Sequence, residues 1–191
     1  MTEINCPFNK PKYEPMFWDN LKADDKKITN CYSYAFNYVD KNDDPENTHK
    51  LQPGEISDPK TDINNLTCPN IIKNIEDDYG YKLRSVLLEE QLPCNHYRIA
   101  IVLDNVGDHR DYHFYRQDMP SPEGYLWSHK QGKGDIKRID ALGQYIYDPK
   151  TASRNYSKKE DKSNDKYNYE IFCGYFSVPY NGGPFYRNSS G

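Results

Sequence analysis

Aliphatic residues are scarce in this chain. Only 35 of its 191 residues are Leu, Ile, Val or Phe, close to the roughly 20% below which a highly charged chain stays disordered. A net charge of only −4 removes the second half of that condition, and 18 Tyr, 7 Phe and 2 Trp supply large apolar faces with polar handles. The expectation is one folded domain over 1–191 with a thin aliphatic core and long polar loops.

Other absences narrow the function classes. No stretch approaches the ~18 consecutive apolar residues of a transmembrane helix, so no membrane partner is expected. The opening MTEINCPFNKPKY has no basic segment followed by an apolar run, so no signal peptide is expected and the chain is placed inside the cell or on a non-classical export route. No excess of basic charge points to nucleic acid. Cys6, Cys31, Cys68, Cys94 and Cys173 form no CxxC pair, which argues against a zinc knuckle. With no export signal, all five are expected to be reduced.

Residues 1–28 carry Pro7, Pro11 and Pro15 beside Phe8, Tyr13, Phe17 and Trp18, which reads as an irregular arm packed on the domain. In 29–39, Cys31, Tyr34, Ala35, Tyr38 and Val39 recur at i, i+3, i+4, i+7 and i+8, one face of a helix, with Thr29 or Asn30 as N-cap. Residues 40–67 form a long polar loop, long enough to serve as a flap or cleft wall beside the start of that helix. A second helix is predicted from Pro69 to Gly80, with Ile71, Ile72, Ile75 and Tyr79 on one face. Beyond Gly80 the period changes to two. Strands are predicted at Tyr81–Leu87, Tyr97–Leu103, Asp111–Gln117, Tyr125–Lys130 and Tyr167–Val178, with a short one at Gln144–Tyr147 and a tail over 181–191. Helices followed by a mostly antiparallel sheet over 81–180 make the fold α+β.

Three features carry chemistry. Cys31 falls in the first turn of a helix, where unpaired N–H groups and the macrodipole favour a thiolate, and its own N–H is a candidate oxyanion donor. The plain alternative is a small buried core residue. In Asp111–Gln117, His113 and Tyr115 share one face of a strand while Tyr112, Phe114 and Arg116 share the other. Arg116 on an apolar face needs an acid, for which Asp140 and Asp148 are candidates. In Tyr125–Lys130, Trp127 and His129 share a face. A Cys at a helix start facing two histidines on neighbouring strands suits a nucleophile, a general base and an orienting group, with Asp118 and Asp140 competing with His129 for the last role.

The run Asn30-Cys31-Tyr32-Ser33-Tyr34-Ala35, followed by DYHFYRQD and GYLWSHK, resembles the papain-like amidohydrolases of the NlpC/P60 and CHAP type, including a branch from giant viruses and bacteria. The resemblance implies a papain-like fold with N-terminal helices packed on the sheet, and a cysteine hydrolase or peptidase that needs no cofactor. It implies Cys31 as nucleophile, His113 as base and His129 as orienter. Asn30-Cys31-Tyr32-Ser33 stands where NlpC/P60 members have Asp-Cys-Ser-Gly. Expected oxyanion donors are Cys31 and Asn30 or Asn20; Tyr32, Tyr115 and Trp127 are expected to contact a peptide or protein substrate of a monomeric enzyme. The competing readings are a Tyr-rich binding module with an inert Cys31, and a metal-dependent hydrolase using His109, Asp111, His113 and His129.

Overall fold

The computed structural model describes residues 10–39, 41, 44, 46–62, 65–80, 82–105, 110–157 and 167–180. Four helices come first: α1 (Pro15–Trp18), α2 (Ala23–Ile28), α3 (Cys31–Ala35) and α4 (Cys68–Tyr79). Six strands follow: β1 (Arg84–Val86), β2 (His96–Asp104), β3 (Asp111–Gln117), β4 (Trp127–Lys130), β5 (Ile136–Lys137) and β6 (Ile171–Pro179). They form one sheet in the order β1-β6-β2-β3-β4-β5, every neighbouring pair antiparallel. The fold is therefore α+β. Among the described residues no helix is long and apolar enough to cross a membrane.

Strand β2 is the centre of the sheet and is buried almost end to end, as its near-continuous apolar run requires. Its alternate residues feed two cores. Tyr97, Ile99, Ile101 and Leu103 pack with Phe114, α3 and the Ile71–Ile75–Tyr79 face of α4. Ala100 and Val102 face the other way, toward Tyr115, Trp127, Ile146, Tyr169 and Tyr175. Strand β3 spans the residues predicted for it, pairing with β2 so that Val102 lies opposite His113.

The helices follow their caps. In α4 the Thr67 side chain accepts from the Asn70 N–H, Pro69 occupies the first turn, and Gly80 closes the helix at φ 76°. In α3 the Asn30 Oδ1 accepts from the Ser33 N–H, 3.0 Å away. This helix is much shorter than the predicted 29–39. Asn37 takes φ 56°, a left-handed conformation that Asn tolerates, and the Tyr38 N–H closes the end on the Ser33 carbonyl at 3.0 Å.

Residues 10–28 do pack on the domain, but they hold two short helices where an irregular arm was expected. Trp18 is buried edge-on against Tyr34, ring centroids 4.8 Å apart. Strand β5 is a two-residue element with no sequence signal, and the predicted strand at 144–147 is reduced to one bridge, Ile139 to Tyr145.

The cysteines require a correction. Cys68 at the start of α4 is bonded to Cys173 on β6, with Cα atoms 5.2 Å apart and 105 residues between them. Cys94 is disulfide-bonded too, and Cys31 is a free thiol. Pairing set by tertiary proximity across so long a separation leaves no local spacing for the sequence to display.

Arg116 is the second correction. Its acid is Asp118, at 3.2 Å with both side chains fully buried. Neither Asp140, which caps the 140–144 turn and the Ser153 N–H, nor Asp148, which binds Tyr175, is involved. The two residues sit on one strand and its extension, so the pair needs no long-range closure. Arg116 also donates to the carbonyls of Tyr34 and Lys12 and to Asn37, and lies 4.0 Å over the Tyr34 ring. It ties the N-terminal segment and α3 to the sheet.

Candidate active site

A cavity of about 770 Å³ opens where the start of α3 meets β3, the 50–52 segment, residues 131–137 and Tyr156, Ser157, Tyr167 and Tyr169. Cys31 and His113 both line it. The helix start brings Cys31 against the backbone of β3, where its Sγ lies 4.0 Å from the Tyr112 carbonyl. That carbonyl accepts the thiol's hydrogen bond, and no bond joins Sγ to His113.

His113 and His129 meet behind the wall. The His113 Nε2 lies 2.8 Å from the His129 Nδ1, and the His129 Nε2 lies 3.1 Å from the Ile139 carbonyl. A carbonyl only accepts, so the His129 Nε2 carries the proton. Between the two facing nitrogens, one donates and the other accepts. Asp118 and Asp140, the other candidates for this position, are committed to Arg116 and to the 140–153 backbone.

The rings around His113 fix its orientation. Tyr169 stacks on it at 5.3 Å, and Tyr115 and His129 meet it edge-on at 5.1 and 5.0 Å. The Tyr169 hydroxyl donates to Asp111 at 2.6 Å. Burial, and then the neighbouring His129, hold the His113 pKa well below the ordinary imidazole value. The Cys31 thiol is pushed up to about 12, first by burial and then by the Asp111 charge; the Phe114 N–H, Lys50 and Lys130 pull it the other way. The resting pair is thus a thiol and a neutral imidazole.

Asn30 lines the cavity, but its side chain is committed. The Oδ1 caps α3 and the Nδ2 donates to the Leu51 carbonyl at 2.8 Å. Asn20 binds the Met16 carbonyl on the exposed arm. Tyr32, Tyr115 and Trp127 are fully buried core residues off the cavity wall, because apolar-face packing claims each of them. Tyr156, Tyr167 and Tyr169 line the wall in their place, with Lys50, Gln52, Lys133 and Lys137. Apart from Lys137 on β5 these come from loops, and Lys50 and Gln52 belong to the 40–67 loop whose length suggested a cleft wall.

That loop does return to the site. Asp78 on α4 accepts from the Gly54 N–H, the Ser57 N–H and the Tyr32 hydroxyl at 2.7, 2.9 and 2.9 Å. Gly54 holds φ 102°, and a Cβ there would lie 2.7 Å from Thr61, so glycine is required. The anchored turn places Lys50 and Gln52 beside Cys31, and Tyr112 donates its hydroxyl to Gln52. The metal reading also needed His109, which lies outside the described residues; among those described, no group of three His, Cys, Asp or Glu is placed to hold a metal.

No family model matches this chain, and no solved structure matches it. It is similar to insoluble matrix shell protein 1 of Ruditapes philippinarum, 32% identical over 144 residues that span 75% of this chain and 81% of that protein. On that identity and coverage, the chain belongs to the same family as insoluble matrix shell protein 1.

Proposed function

We propose that the protein is a thiol-dependent amidohydrolase or peptidase of papain-like arrangement, with Cys31 as nucleophile, His113 as general base and His129 as its orienting partner. The observation that carries this reading is the hydrogen-bond chain Ile139 carbonyl–His129–His113. It holds His113 against a second, fixed imidazole, and His113 shares a cavity wall with the one free thiol among the described residues.

In the proposed reaction the Cys31 Sγ attacks the amide carbon as its proton passes to the His113 Nδ1. The proton then goes to the leaving nitrogen as the C–N bond breaks, giving a thioester. Water adds to the thioester with His113 again taking the proton, and the carboxylic acid leaves as the thiol reforms. His129 steadies the imidazolium through its Nδ1. The Cys31 backbone N–H, in the first turn of α3, supplies an oxyanion donor. Because burial keeps the thiol protonated at rest, proton transfer accompanies attack rather than preceding it.

A second reading is a non-catalytic matrix component. It is favoured by the name of the shell relative and by the 7% exposure of Cys31. The two separate in one experiment. The protein is incubated with a proteome-derived peptide library and new termini are read by mass spectrometry. The hydrolase reading expects new termini with the native protein and none with Cys31→Ala. Identical termini from both proteins would contradict it.

A further inference from the structure

The molecule carries a net charge of −4, yet the cavity wall has the opposite sign. Lys50, Lys133 and Lys137 line it, against one acid, Asp111, whose carboxylate accepts the Tyr169 hydroxyl at 2.6 Å. No carboxylate pairs with any of the three lysines among the described residues, although nine ion pairs form elsewhere.

Their placement is built into the backbone. The turn after β4 runs through Gly132 at φ 50° and Gly134, where a Cβ would lie 2.9 Å from the Gln131 carbonyl. A residue with a side chain at 132 would meet the Lys50 Nζ at 3.6 Å. The turn is further fixed by the buried Lys130, whose Nζ donates to the Gly132 carbonyl at 2.6 Å. Two stretches far apart in sequence, the Asp78-anchored segment at 50–52 and the 131–134 turn with β5, therefore bring three ammonium groups to one cavity. Concentrating like charge on a surface of the opposite net sign costs self-repulsion, which an anionic ligand relieves.

We propose that the substrate of this site is an acidic peptide, whose side-chain carboxylates are held by Lys50, Lys133 and Lys137 while one of its backbone amides lies between Cys31 and His113. The amide part rests on the hydrolase reading above; the charge preference does not. The rings of Tyr156 and Tyr167 on the wall add flat apolar area for the peptide backbone. A basic peptide is excluded by the same three charges.

Binding to the Cys31→Ala protein separates the two claims, since it requires no turnover. Fluorescein-labelled Glu-Ser, Gln-Ser and Lys-Ser repeat peptides of equal length are titrated and followed by anisotropy. The acidic peptide is expected to bind roughly tenfold tighter than the neutral one, as three partly exposed ion pairs would give, with no binding of the basic one. Raising salt from about 0.05 to about 0.5 M should erase most of the difference. The added substitutions K50Q/K133Q/K137Q should remove the preference, while the triple Lys→Arg variant keeps it. Lys133→Gln alone, at the exposed turn, should weaken acidic-peptide binding by roughly threefold and guards against a folding failure in the triple variant. Equal binding of acidic and neutral peptides, or acidic binding unchanged by the Gln substitutions, would overturn the proposal. Binding of a sulfated glycan with no binding of the acidic peptide would also overturn it. An acidic peptide that binds through the lysines but is never cleaved by the native protein would uphold the charge preference and sink the hydrolase reading.

Discussion

At Cys31 two influences oppose each other. The Phe114 N–H and the nearby Lys50 and Lys130 favour a thiolate, while burial and Asp111 disfavour it, and burial wins. The sign of the consequence is definite. A thiol raised to about 12 stays protonated at neutral pH, so its intrinsic reactivity with a small alkylating agent is low and climbs as pH rises from about 7 through 10, with no plateau near the ordinary thiol value of ~8.5. Iodoacetamide labelling of the native protein, read at the Cys31 peptide, should show this profile, and the denatured chain should reach half its maximal rate near ~8.5. A native profile that levels off below 8 would mean the thiolate is stabilised at rest. Arg116 offers a test of packing rather than chemistry. Burial raises the Asp118 pKa, an effect that Arg116 and Arg138 offset only in part. Arg116→Ala leaves Asp118 buried with one guanidinium fewer and should cost about 3–5 kcal/mol in denaturant unfolding. An unchanged unfolding midpoint would show that the guanidinium contributes nothing.

Among the elements, strand β3 was legible from sequence. It spans Asp111–Gln117 as predicted and is buried on both faces, and the split of His113 from Phe114 follows directly from period two. Helix α3 was legible at its start, where Asn30 caps it, but not at its end, since Asn37 adopts a left-handed conformation fixed by contact with Arg116. The His113–His129 contact could be anticipated from two neighbouring strands. The lysine and tyrosine wall could not, because loop residues are placed by distant anchors rather than by period. Asp78 is such an anchor. Asp78→Ala removes the acceptor of two N–H groups and one hydroxyl, each worth roughly 1–3 kcal/mol when buried and left unsatisfied. The expected result is faster limited proteolysis between residues 50 and 60 than in the parent protein. Cleavage at the parent rate would show that the loop is held by other contacts.

Over the whole molecule, the scarce aliphatic core is supplemented by covalent closure. The Cys68–Cys173 bond joins the main helix to the central region of the sheet across 105 residues, and closing a loop of that length lowers unfolded-chain entropy by as much as ~4.7 kcal/mol in the chain-entropy account. Cys68→Ser with Cys173→Ser should therefore lower stability by about 2–5 kcal/mol in urea unfolding. A loss under 1 kcal/mol would mean that packing of α4 against the sheet suffices without it. The bond also fixes α4, which through Asp78 holds the 50–57 segment whose Lys50 and Gln52 line the cavity.

The most direct test of the hydrolase reading is to trap the acyl-enzyme. The protein is mixed with a neutral N-acyl amino acid p-nitrophenyl ester, quenched in acid within seconds, and its acylated residue mapped by mass spectrometry. The account predicts a thioester on Cys31. The Cys31→Ala protein should show no such adduct, and His113→Ala, with an unchanged circular dichroism spectrum, should slow its formation by about 10²-fold or more. Acylation confined to lysines, or a Cys31 thioester that forms at the same rate without His113, would contradict it.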